Sequence, residues 1–236
     1  MSYDSALTIF SPNGELLQVD YAAQAVKLGQ ATIGILCDDC VLFGVAKPSL
    51  NKLQISHTVS KIHKIDKNCT TAFTGLGPDG RVIMNQIRRE AAVFKINYDD
   101  DPSIEYMAKY IASIFQKMTQ TGGTRPFGVG MFISGISKQD DKPKLFQVLP
   151  AGMVTEYKAN CIGKGSEAVV EKLKAKYKDN MTRDEGKKLM MRCLFEVIDN
   201  PKLNGEIAVI DGNGVNYVTE EDRTRLAEEI EKEDAK

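Results

Sequence analysis

The sequence contains no tryptophan, and only two histidines, His57 and His63, among its 236 residues. So few imidazoles leave little material for a histidine-built metal centre or a Ser/His/Asp arrangement. Neither sign of charge prevails: 31 Lys and Arg stand against 32 Asp and Glu, a formal net charge of -1. That balance removes the bulk electrostatic argument for nucleic acid or a membrane surface as a partner. No apolar run approaches the roughly 18 residues needed to span a bilayer. The first residues, Met1 to Ser5, have neither the basic nor the apolar region of a secretory signal. The cysteines are five, an odd number spread thinly, as expected of reduced thiols in the cytoplasm or nucleus. Without a secretory route the sequons at Asn68 and Asn180 are read as chance. A chain of this length, 42% hydrophobic, can bury a substantial core.

No Pro/Gly/Ser-rich linker divides the chain, so a single domain over 1–236 is expected, with distinct ends. Residues 1–15 are polar and turn-forming, with Ser11-Pro12-Asn13-Gly14 a turn signal. An Ala-rich helix is predicted from Leu17 to Leu28, closed by Gly29 as a C-cap. Two hairpins follow, Ala31–Cys37 with Val41–Ala46 and Lys61–Ile65 with Cys69–Thr74. Apolar residues at spacings of three and four then mark two helices: Ile83, Ile87, Ala91, Phe94 and Tyr98 on one, and Ile104, Ala108, Ile111, Phe115 and Met118 on the other. Asp101-Pro102 supplies the second helix with an N-cap and a first-turn proline. Strands resume at Phe127–Ile136, Lys144–Leu149, Met153–Tyr157 and Asn160–Ile162. A second helix pair spans Ser166–Tyr177 and Arg183–Ile198, the latter opened by the capping box Thr182-x-x-Glu185. A last hairpin, Ile207–Ile210 with Val215–Val218, precedes an acid-rich helix and tail over 220–236. Parallel βαβ units would alternate strands and helices singly, and this order does not. The pattern predicts an α+β fold, a four-layer α/β/β/α sandwich of two antiparallel sheets flanked by helix pairs.

Motifs of chemistry fare poorly. Gly75-Leu76-Gly77-Pro78-Asp79-Gly80 fits the dinucleotide pattern G-x-G-x-x-G. That pattern requires a βαβ unit with an acid on the following strand, whereas here a helix follows a helix. Gly163-Lys164-Gly165-Ser166 lacks the spacing of a phosphate loop. Cys37-Asp38-Asp39-Cys40 has no second cysteine pair to complete a zinc site, and sits at a hairpin turn. No Gly-x-Ser-x-Gly elbow occurs. The residues alone show no active site, cofactor site or metal site.

One stretch is far more specific. Tyr3-Asp4-Ser5-Ala6-Leu7-Thr8-Ile9-Phe10-Ser11-Pro12-Asn13-Gly14-Glu15 and its continuation to Ala22 resemble the N-terminal signature of proteasome alpha subunits. The resemblance continues through Ala31-Thr32-Ile33-Gly34, Arg125-Pro126-Phe127-Gly128 and Tyr157-Lys158-Ala159-Asn160. Met1 to Asp4 and Lys52-Leu53-Gln54 look most like the fourth of the seven eukaryotic alpha types. Two departures stand out: the family usually has Arg where this chain has Ser5, and Glu where it has Asp20.

The resemblance implies an Ntn-hydrolase-like sandwich and a non-catalytic subunit in the seven-membered alpha ring of the 20S core, stacked on rings of beta subunits. The segment 1–15 would lie near the axial pore and block entry, with Tyr3, Asp4, Pro12 and Tyr21 clustering when the gate opens. The helix 17–29 would make ring contacts. Regulatory particles would dock C-terminal tails in a pocket where Lys61 pairs with the terminal carboxylate and the backbone of Gly75 approaches the tail, with Gly14, Leu16 and Asp20 lining it. For Tyr21 the plain alternative is a buried ring at the helix start, and for Lys61 an exposed strand lysine. Catalytic relatives use an N-terminal threonine whose own amine assists. Here Thr32, the nearest candidate, has 31 residues before it. By the resemblance the orienting acid falls at Ala46, which has no carboxylate, and only the equivalent lysine, Lys61, remains. A threonine-type peptidase is the alternative kept open; a nucleotide-dependent oxidoreductase rests only on the glycine match. Cytoplasm and nucleus are the expected locations.

Overall fold

The computed structural model describes residues 9–47, 60–137 and 141–234. Tyr3, Asp4 and Ser5 of the N-terminal signature lie outside the described residues. Two sheets of five strands form the centre. One has the order β10-β9-β2-β1-β8, from Gly214–Tyr217, Gly205–Asp211, Val41–Ala46, Thr32–Leu36 and Ala159–Ile162. The other runs β3-β4-β5-β6-β7, from Ile62–Asp66, Cys69–Gly75, Val129–Ile136, Pro143–Val148 and Val154–Glu156. Every pairing in both sheets is antiparallel.

Alternation along each strand sends side chains into one of three apolar layers. Between the sheets lie Phe43, Val45, Ile62, Ala72, Phe132, Leu145 and Ala208. The outer face of the β3–β7 sheet packs on α2 (Gly77–Tyr98) and α3 (Ile104–Gln120) through Phe73, Ile83, Ile87, Ile111, Phe115 and Met131. The outer face of the β1–β2 sheet packs on α4 (Ser166–Lys176), α5 (Arg183–Phe195) and α7 (Glu220–Asp234) through Ile33, Leu42, Met190, Leu194, Ile207 and Ala227. The four-layer expectation therefore holds. Each fully buried Leu, Ile or Phe contributes about 1.5–3 kcal/mol by leaving water. Sheet and helix faces thus reinforce one another.

Several local expectations are corrected. The strands β7 and β8 are consecutive but belong to different sheets. The chain crosses between them at Tyr157 and Lys158: the Tyr157 N–H donates to the Leu145 carbonyl (2.9 Å), while the Lys158 carbonyl accepts from Leu36 N–H (2.7 Å). Strand β9 is more than a hairpin partner of β10, since it also pairs along β2. The α3 cap is Ser103, whose hydroxyl accepts from Tyr106 N–H at 3.1 Å. The Asp101 carboxylate is instead held by Lys95 at 2.7 Å. α5 ends at Phe195, short of Ile198, and a single turn, α6 (Pro201–Asn204), leads into β9. The Thr182–Glu185 capping box is formed in both directions.

Helix α1 (Leu17–Leu28) packs on β4 and β5 with Ala22 and Val26 buried. Gly29 ends it, but in an extended conformation (φ -66, ψ 163) and not as a left-handed cap. Its glycine is required by packing. A Cβ at Gly29 would stand 2.4 Å from the backbone nitrogen of Gly75.

Candidate functional site

The residues singled out above fall into two groups. The first is the entry into α1. Ser11 N–H donates to the Glu15 carbonyl (2.8 Å), Gly14 N–H to the Ser11 carbonyl (2.9 Å), and Glu15 N–H to the Ser11 hydroxyl (3.1 Å). These bonds tie the Ser11–Glu15 turn into a closed knob with Pro12 exposed at its tip. Gly14 takes φ +81, which a glycine adopts without strain. Leu16 is the N-cap residue of α1 and has no side-chain cap; its carbonyl accepts from Val19 N–H at 2.8 Å. Asp20 lies exposed in the first turn, where a carboxylate complements the helix dipole. Tyr21 is 49% exposed, which corrects the reading of a buried ring.

The second group lies where β3 begins and β4 ends. Phe73 N–H donates to the Lys61 carbonyl (3.3 Å), placing Lys61 opposite Phe73 and diagonally across from Gly75 on the same face. Lys61 Nζ stands 5.7 Å from the centre of the Phe73 ring, and His63 stacks on the same ring at 5.7 Å. Lys61 is half-buried, so the exposed strand lysine is not what is found. Burial draws its pKa below the ordinary lysine value, and no carboxylate among the described residues offsets that cost. Burial likewise lowers His63, with the Arg88 charge adding to it. A cation deprived of water in this way gains more than a solvated one when an anion arrives.

Gly75 has φ +103, and a Cβ there would lie 2.1 Å from the Gly128 carbonyl oxygen. The adjacent Leu76 N–H donates to that same oxygen at 2.9 Å. Lys61 and Gly75 thus share one locus beside the start of α2. Gly14, Leu16 and Asp20 belong to the other; among the described residues no hydrogen bond or ion pair joins them to Lys61.

Residues weighed for chemistry end elsewhere. Thr32 is fully buried in β1, paired with Val45 on one side and Ile162 on the other, and its hydroxyl donates to the Phe73 carbonyl at 3.3 Å. Ala46 is buried at the end of β2. Thr32 points into the space between the sheets, whereas Lys61 lies over Phe73 on the side of α2, so the β3–β7 sheet separates them. The dinucleotide pattern at Gly75–Gly80 falls between β4, antiparallel to both neighbours, and a helix followed by a helix. Cys37 and Cys40 are buried free thiols at the β1–β2 turn. Hydrogen bonding with the Cys40 thiol lowers the Cys37 pKa, and the same pairing, with burial, raises that of Cys40.

Sequence reading overlooks Asp79 and Arg125. The Asp79 carboxylate, in the first turn of α2, accepts from Arg125 Nη1 (2.7 Å), Arg125 Nη2 (2.9 Å) and Gly128 N–H (3.0 Å). The Arg125 guanidinium holds the Asp79 carboxyl below the usual carboxylate range. The partners are 46 residues apart, and no local periodicity links them.

Comparison with known proteins gives the family. The family profile described as "Proteasome subunit" matches residues 26–211, and a second profile, for the N-terminal signature of A-type proteasome subunits, matches residues 3–25. Proteasome subunit alpha type-7-B of Oryza sativa is 40% identical over 234 residues, covering 99% of this chain and 94% of that protein. Proteasome subunit alpha type-7 of Trypanosoma brucei brucei is 35% identical over 233 residues, with the same two coverages. Proteasome subunit alpha type-4 of Saccharomyces cerevisiae is 37% identical over 236 residues, covering 98% and 93%. With its sandwich, its α1 helix across the strand ends and its N-terminal signature, the chain belongs to the proteasome subunit family, on the alpha side of that family.

Proposed function

We propose that this chain is a non-catalytic subunit of the seven-membered alpha ring of a 20S core particle. In that role it contributes to ring assembly, to the gate over the pore and to the docking of regulatory particles. The observation that carries the docking role is Lys61, a half-buried cation with no acid partner among the described residues, on the same sheet face as the constrained backbone of Gly75. A terminal carboxylate would restore the solvation that Lys61 lacks, and the adjacent backbone would receive the tail's main chain. Gly14, Leu16 and Asp20 stand apart from Lys61 within this chain. That separation suits a pocket closed by a neighbouring subunit, one wall from each.

The closed Ser11–Glu15 turn, with Pro12 at its tip, suits a rigid support for the gate segment before it, and half-exposed Tyr21 is accessible to that segment. Non-catalysis is supported by Thr32, whose nitrogen is a mid-chain amide and whose hydroxyl is buried across a sheet from Lys61. The ring neighbours, the beta-ring contacts and assignment to the fourth alpha type belong to the same proposal. So do cytoplasm and nucleus as its locations, with which five buried free thiols agree.

The test is Lys61→Ala in the assembled particle. Loss of a charge-assisted contact of about 1.5–3 kcal/mol lowers tail affinity at this pocket at least about tenfold. Equal affinities for wild-type and variant particles would remove Lys61 from the role.

A further inference from the structure

Residue Gly128 is held through both of its backbone polar groups. Its carbonyl accepts from Leu76 N–H at 2.9 Å and stands where a Cβ of Gly75 would intrude. Its N–H donates to Asp79 at 3.0 Å. The end of α1 also approaches Gly75 closely, since a Cβ at Gly29 would lie 2.4 Å from the Gly75 nitrogen. Gly75 is therefore closely packed by both the end of α1 and residue Gly128. Side-chain chemistry enters on the Gly128 side. Asp79 is 7% exposed, and its carboxylate is anchored by the two-pronged bond from Arg125 as well as by its place in the first turn of α2.

We propose that Asp79 and Arg125 are positioning residues of the tail pocket, fixing residue Gly128 and through it the Gly75 backbone along which an activator tail lies. The inference rests on the docking role proposed for Lys61 and Gly75. Asp79 acts wholly through Gly128. Removing its charge leaves the Lys61 ammonium in place but lets the Gly75 backbone shift. The two parts of the pocket then have separable signatures: Lys61 reads the terminal charge, and the clamp sets the fit of the tail's main chain.

The experiment uses assembled 20S particles and a photo-crosslinkable peptide with the sequence of a regulatory-particle C-terminal tail, as free acid and as amide. Crosslinking to this chain is titrated by mass spectrometry, so that one pocket is read among seven. Asp79→Asn is expected to weaken both peptides about tenfold while preserving the preference for the free acid. Arg125→Met, at a side chain 58% exposed, is expected to do the same, and the double variant to do no more. Lys61→Ala is expected to abolish the preference for the free acid.

Wild-type binding by Asp79→Asn and Arg125→Met, with Lys61→Ala impaired, would overturn the clamp and leave the docking role intact. Unchanged binding by Lys61→Ala would overturn the docking role and the clamp with it. A loss in the clamp variants that vanishes far below the particle's melting temperature would mark a stability effect only, and would also overturn the proposal.

Discussion

Replacing Gly75 by alanine tests whether close backbone approach, and not conformational freedom alone, dictates glycine there. The residue has φ +103, outside the range that an L side chain adopts without strain of about 1–2 kcal/mol. The added methyl would also start 2.1 Å from the Gly128 carbonyl oxygen, well inside normal contact. That oxygen cannot retreat freely, because Leu76 N–H holds it and Asp79 holds the N–H of the same residue, Gly128. Strain and displacement together cost at least about 3 kcal/mol, a fall in melting temperature of roughly 6–12 °C for a domain of this size. Gly14→Ala is the control. Gly14 also has positive φ, +81, but nothing lies within 4 Å of its Cβ position. Strain alone predicts about 1 kcal/mol and a shift of a few degrees. Thermal unfolding of the two purified variants, followed by circular dichroism, gives the comparison. Equal losses would refute the role assigned to the Gly128 contact.

Further outcomes follow from single groups. Asp79 has its folded-state pKa lowered by Arg125, so its contribution is present above the unfolded carboxylate value of about 3.9 and is lost as pH falls through the lower folded value. Unfolding curves of wild type and Asp79→Asn should therefore converge below about pH 4 and stay separated by a constant amount from about pH 5 to 7; parallel curves throughout would contradict the ion pair. Thr32→Val should leave peptide hydrolysis by the assembled particle unchanged, at a stability cost of about 1 kcal/mol for the lost hydroxyl bond to Phe73. A fall in hydrolysis with the particle intact would reinstate the threonine-peptidase reading.

Much of the architecture is written locally. The stripe Ile104, Ala108, Ile111 and Phe115 is the buried face of α3, and Thr182 with Glu185 caps α5 as the spacing requires. A period of two identifies a strand without identifying its sheet, which is why the crossing at Tyr157 and Lys158 is invisible locally. The Ser103 cap is hidden by Asp101, a better local candidate that is diverted to Lys95 in the folded chain. Gly29 stands at the expected place for a different reason: its spacing indicates a helix end, while its packing against Gly75 is long-range. The same limit governs the site. Lys61 and Gly75 become candidates through resemblance, since neither residue is unusual in its own neighbourhood. Their shared face depends on register, and the Asp79–Arg125 clamp on a contact spanning the helix pair. The plain readings of Lys61 and Tyr21 fail because burial is set by what packs above a residue: Lys61 lies over the Phe73 ring of the neighbouring strand, whereas Tyr21 stays half-exposed.

In its proposed role this chain controls passage into the particle and does not itself cut. The most direct measurement is the rate of hydrolysis of a small fluorogenic peptide by assembled particles in which residues up to about Phe10 of this chain are deleted. A rate several-fold above wild type, with the particle's composition unchanged, is the predicted result. An unchanged rate would contradict the gate.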